Sequence, residues 1–132
     1  MVHDAHKCKE TINILLTKVK LTVEEKIEML FLFLAEEKLF LLEKGFSIIL
    51  KQIDKAITTS LLPPSSQVKY NIFKARYYTH FTTEEVTPVY FSKLALDIAE
   101  KNADIVPAYL YLEALTFHIS TLVNWIGYTT EF

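Results

Sequence analysis

TVEEKIEMLFLFLAEEKLFLLEKG, residues 22–45, decides the architecture of this chain. Thr22 with Glu25 three residues later is a capping box, in which each side chain answers the other residue's unpaired backbone amide. A helix therefore begins at Val23, and with no Gly or Pro before Gly45 it is expected to run to about Lys44 and stop there. Leu30, Phe31, Leu32, Phe33, Leu34, Leu39, Phe40, Leu41 and Leu42 cover nearly its whole circumference. A helix that is apolar on all sides has to be buried on all sides. The same stretch carries Glu28, Glu36, Glu37, Lys38, Glu43 and Lys44, so it holds no uninterrupted apolar run of the ~20 residues needed to span a bilayer.

The remaining elements follow outward from this helix. Before it, Cys8, Ile12, Leu15, Leu16 and Val19 share one face of a helix over residues 6–19. After it, a helix covers residues 46–59, and LLPPSS (residues 61–66) reads as a loop because Pro63 and Pro64 cannot continue a helix. A fourth helix spans 67–81. Thr82 with Glu85 reads as a second capping box, opening a helix that ends near Lys101, with Pro88 in its first turns. Asp104 is expected to cap the sixth helix, which holds Pro107 in its first turn and runs to 126, where Gly127 ends it. Strand content is expected to be near zero.

Composition agrees with this all-α reading. The 132 residues are 51% hydrophobic and 23% charged, which excludes a disordered chain and suits a single domain over 1–132. Fourteen basic residues against sixteen acidic ones, with Arg76 as the one arginine, argue against a nucleic-acid binder. Cys8 alone excludes a disulfide framework. MVHDAHKCKE (residues 1–10) is too polar for a signal peptide, so an intracellular protein, cytoplasmic or nuclear, with no membrane partner is expected.

A repeat is visible as well. Ala35, Ala75 and Ala114 lie 40 and 39 residues apart, and alignment on them pairs Tyr70 with Tyr109, Phe73 with Leu112, Lys74 with Glu113 and Tyr78 with Phe117. A period of this length built from helix pairs is the mark of an α-solenoid. GFSIILKQIDKAI (residues 45–57) resembles the turn and second helix of a tetratricopeptide repeat. FSKLALDIAEKNADIVPAYLYLEAL (residues 91–115) is similar to the long-period version of that repeat. The resemblance spans about residues 25–119. It lacks the usual Trp in the first helices, and Glu36, Arg76 and Leu115 stand where Gly often follows the small Ala. It implies a short stack of antiparallel helical hairpins, about six helices in all. It also implies a concave groove lined by Met29, Leu32, Glu36 and Leu39, by Lys69, Ile72, Arg76 and His80, and by Ala108, Tyr111, Leu115 and His118.

Chemistry-bearing residues have bland readings that outweigh the sharp ones. A helix starting near His3 and Asp4 could present His6 and Cys8 to a metal, but zinc's fourth ligand would have to come from elsewhere in the chain, and no metal site or cofactor is expected. Glu24–Glu25 and Glu84–Glu85 suit the first turn of a helix, while Glu36–Glu37 reads as a solvated stripe. His80 and His118 occupy matching repeat positions, read as the last turn of a first helix, where a polar group favours the helix dipole. No nucleophile stands at a fixed spacing from either histidine, so an enzyme is not expected. Trp125 is read as a packing anchor and, because indole is often an interface hot spot, joins the partner-binding set.

The function expected from these residues is a non-enzymatic protein–protein interaction module. It would bury a partner helix or peptide in an apolar groove, with Arg76, Lys69 and Glu36 fixing orientation, within a homo-oligomer or larger complex. The competing expectation is a compact helical bundle that binds a small apolar ligand or a signal peptide.

Overall fold

The computed structural model describes residues 10, 14, 20–35, 43–57 and 62–129. Among them are five helices and no strand: α1 (Val23–Ala35), α2 (Glu43–Ile57), α3 (Pro64–Phe81), α4 (Val86–Lys101) and α5 (Ala108–Thr129). The helix expected over 6–19 lies almost wholly outside the described residues, as do His3, His6, Cys8, Glu36 and Leu39. The chain divides into two compact units, Met1–Leu61 and Leu62–Phe132.

In the first unit α1 packs on α2. Its capping box forms as the sequence predicts: the Thr22 amide donates to Glu25 Oε1 at 3.1 Å and the Glu25 amide to Thr22 Oγ1 at 3.2 Å. The Thr22 amide and hydroxyl together hold the Glu25 carboxyl below its ordinary range. Thr22→Ala is expected to cost the first unit about 1 kcal/mol, measurable as a lower denaturation midpoint with the second unit unchanged. Ile27, Leu30 and Phe31 form the buried face of α1, and Ile49, Leu50 and Ile53 that of α2. Leu32 on the other side of α1 is 68% exposed. Gly45 does not stop a helix; it sits in the first turn of α2, and no glycine among the described residues takes positive φ. Glycine permits a left-handed stop but does not impose one.

The second unit is an antiparallel arrangement of α3, α4 and α5. The loop expected at the Pro pair gives way to helix earlier than predicted. Pro63 is extended (φ −59°, ψ 154°), and Pro64 already opens α3, where a missing amide and a preset φ cost nothing. Gln67 Nε2 ties this start to the Leu62 carbonyl at 2.7 Å. The second predicted capping box does not form. Thr82 instead ends α3 in extended conformation, its hydroxyl donating to the Tyr78 carbonyl at 2.7 Å and accepting the Glu84 amide at 3.2 Å. With Thr82 committed backward, α4 starts at Val86 and Pro88 falls in its first turn.

Asp104 does not cap α5. The turn is organised by Asn102, whose side chain donates to the Ile98 carbonyl at 2.8 Å and whose carbonyl accepts the Ile105 and Val106 amides. The Pro107 carbonyl then accepts from Leu110 and Tyr111, so α5 begins at Ala108. Nor does Gly127 end α5, which continues to Thr129.

Val68 and Ile72 from α3, Ala95, Leu96 and Ala99 from α4, and Leu110 and Ala114 from α5 make the core, with Val106 from the preceding turn. Alanines at three of these positions leave room for the helix axes to approach closely. Across α3 and α4 the rings of Tyr78 and Phe91 stack at 5.7 Å, and Lys74 Nζ lies 5.1 Å from the Phe91 ring centre. Ala75 and Ala114, two of the three alanines that define the sequence repeat, are both buried. The helices are shown to be antiparallel neighbours; a repeat is not shown.

Candidate functional site

The residues expected to line a groove fall into three kinds of place. Ile72 is 2% exposed and belongs to the core of the second unit, with Tyr111 and Leu115 packed against that same core. Ile72 is thus not open to a partner: α5 lies against α3 and α4, and the inward faces of the helices meet one another. Arg76 is used within the unit. Its guanidinium lies 5.6 Å from the Phe73 ring centre and 6.0 Å from that of Phe117, joining α3 to α5 through cation–π contact. Lys69 is half-buried, whereas His80 and Ala108 are exposed. Met29 (half-buried) and Leu32 belong to the other unit.

His118 is well inside α5 and not in a last turn, because α5 continues to Thr129. Its Nδ1 lies 2.8 Å from Ser92 Oγ, which is itself 2.8 Å from Thr121 Oγ1 and 3.1 Å from the Val89 carbonyl. Thr121 in turn donates to the His118 carbonyl at 2.9 Å. With Thr121 donating to the His118 carbonyl, the single Ser92 proton is shared between the Val89 carbonyl and Thr121 Oγ1, and Ser92 Oγ can accept from His118 in its Nδ1–H tautomer. Burial and the nearby Lys93 ammonium hold the His118 imidazole below its ordinary pKa of 6.5, with Asp97 pulling weakly the other way. A serine hydrogen-bonded to a histidine is the first geometric requirement for a nucleophile. It also has to be reached by a carbonyl, and Ser92 is fully buried. In this geometry the three side chains fasten α4 to α5.

Sequence reasoning missed Ser92, although a signal was present. Ser92, Ala95, Leu96 and Ala99 share one face of a helix, and a hydroxyl on an otherwise apolar face needs a partner.

Beside this node, Thr79, Thr82, Thr83, Glu84, Glu85, Pro88, Thr121, Asn124 and Trp125 line a depression of about 170 Å³. Its carboxylates stand at the start of α4, where negative charge already complements the helix dipole. Among the described residues no His, Cys, Asp and Glu side chains are grouped so as to hold a metal ion, and no helix is long and apolar enough to cross a membrane.

The feature that stands out is the outer face of α5. Tyr109, Leu112, Ile119, Val123 and Ile126 are 65, 57, 53, 63 and 48% exposed. With the exposed Thr116 they follow one another at spacings of three and four residues, the heptad rhythm of a helix–helix seam. They lie opposite Leu110, Ala114 and Thr121, which are buried. Over its 22 residues α5 carries a single formal charge, on Glu113.

Compared with known proteins, the chain matches no family model, no curated protein and no solved structure. The site therefore stands on its own geometry.

Proposed function

We propose that this chain is a non-enzymatic interaction module that presents the outer face of α5 to a helix of another polypeptide. The carrying observation is the seam of Tyr109, Leu112, Thr116, Ile119, Val123 and Ile126. Single exposed apolar residues are ordinary on a protein surface, but a continuous row of them is the mark of an interaction surface. A row at heptad spacing selects a helix as the complementary shape, because knobs from a second helix fit the holes between successive seam residues.

This face differs from the groove implied by the tetratricopeptide resemblance, and it takes over the role assigned there to Ile72, Tyr111 and Leu115. The architectural part of the reading is a short stack of helical hairpins. What supports it is the antiparallel order of α3, α4 and α5 and the burial of Ala75 and Ala114 at aligned positions.

A photo-crosslinking amino acid placed at Ile119 in the full chain, expressed in cells, tests the proposal. The expected result is a covalent adduct with a polypeptide, and the same probe at exposed Lys93 should give little. No polypeptide adduct at Ile119, or adducts with lipid alone, would overturn it.

A further inference from the structure

We infer that the occupant of this seam is a second copy of the chain, docked by an antiparallel two-fold axis that crosses α5 midway between Thr116 and Ile119; this rests on the interaction reading above. The seam is its own complement. Turned end for end about that midpoint, Tyr109 faces the partner's Ile126, Leu112 faces the partner's Val123, and Thr116 faces the partner's Ile119. Every layer then sets a larger side chain against a smaller one, the arrangement that interdigitates without voids. A parallel pairing would set each residue against itself, placing Thr116 hydroxyls together in an apolar layer and two Tyr109 rings against each other.

Charge and area agree with the two-fold. Antiparallel helices set the positive end of one dipole beside the negative end of the other. The two Glu113 carboxylates fall on opposite sides of the midpoint, roughly 13 Å apart along the seam at 1.5 Å rise per residue, beyond the screening length of physiological salt. Five large apolar side chains that are about half exposed or more, at roughly 100 Å² each, offer on the order of 500 Å² per copy. Thr116 and the flanking residues bring this toward the ~800 Å² that each partner of a standard interface buries. Self-complementary patches of this kind close on themselves as two-fold dimers.

The full-length chain is measured by light scattering from low to high micromolar concentration, and disulfide trapping is carried out on a Cys8→Ser background. The expected mass is twice 15.3 kDa at the higher concentrations. Leu112→Cys combined with Val123→Cys should oxidise to a covalent dimer, while Leu112→Cys alone should not. Ile119→Asp, at a surface position, should raise the dissociation constant about a hundredfold or more with helicity intact, since the two-fold buries the new charge twice. A monomer throughout the range would overturn the inference. So would efficient trapping through Leu112→Cys alone, or a dimer indifferent to Ile119→Asp. A monomeric chain whose Ile119 probe still captures a different polypeptide would overturn the second copy and leave the interaction reading standing; a probe that captures none would end both.

Discussion

Leu110→Ala is expected to destabilise the second unit by about 4 kcal/mol, toward the upper part of the range for truncated core leucines. Leu110 is 1% exposed and reaches from α5 into the space shared with Val68, Ile72, Leu96 and Val106. The cost of such a truncation has two parts: lost transfer free energy, and a cavity that survives if the neighbours cannot move in. Here the neighbours from α4 include Ala95 and Ala99, and the next core residue of α5 is Ala114, none of which has side-chain length to spare. The cavity should therefore persist. Denaturant unfolding read by circular dichroism measures the change, with Leu112→Ala as the comparison. Leu112 is two residues away but on the opposite side of α5 and 57% exposed. At a concentration low enough to keep the chain monomeric, its truncation should stay within about 0.5 kcal/mol. Equal costs at the two positions would mean that the division of α5 into a buried and an exposed face is wrong.

That contrast also explains how far the sequence could be read. The all-helical class, the Thr22–Glu25 cap and the existence and order of the five described helices were legible, because they depend on local spacing and on the positions of Gly and Pro. Boundaries failed where one residue had two possible commitments. Thr82 could cap the helix ahead or close the one behind, and its hydroxyl bonds Tyr78. Gly45 and Gly127 could stop a helix or be carried within one, and both are carried. Ile72 was assigned to a groove by alignment on a repeat, which gives faces by analogy, whereas its burial is decided by which helices meet. The seam on α5 was visible as a row at heptad spacing, yet it was obscured because α5 bears two apolar faces. One period analysis cannot say which of two faces packs inward. Leu110 and Ala114 against the core leave Leu112 and Val123 for something else.

Ser92→Ala carries the second large effect, a loss of about 1–3 kcal/mol, even though alanine is the better helix former by a few tenths. The methyl group removes the link between His118 Nδ1 and Thr121 Oγ1 at a point with no exposure, leaving the imidazole nitrogen facing an apolar wall. The same node gives stability a pH dependence of known sign. Burial, then Lys93, depresses the folded His118 pKa below 6.5, so over the interval between that value and 6.5 the unfolded chain holds more protons than the folded one. The contribution is therefore fully present above about 6.5, is lost as pH falls through the folded pKa, and is flat below it. His118→Gln should flatten the denaturation midpoint across that interval while the wild type still slopes upward with pH. A wild-type profile that falls with rising pH there would mean that Asp97 outweighs burial and Lys93, and that the imidazole is held charged against Ser92. His118 faces Lys93 and Asp97 on α4, and these also form a pair with each other, Nζ to Oδ2 at 3.5 Å. Lys93→Gln consequently separates the two contributions: if burial dominates, removing the ammonium should shrink the slope without abolishing it.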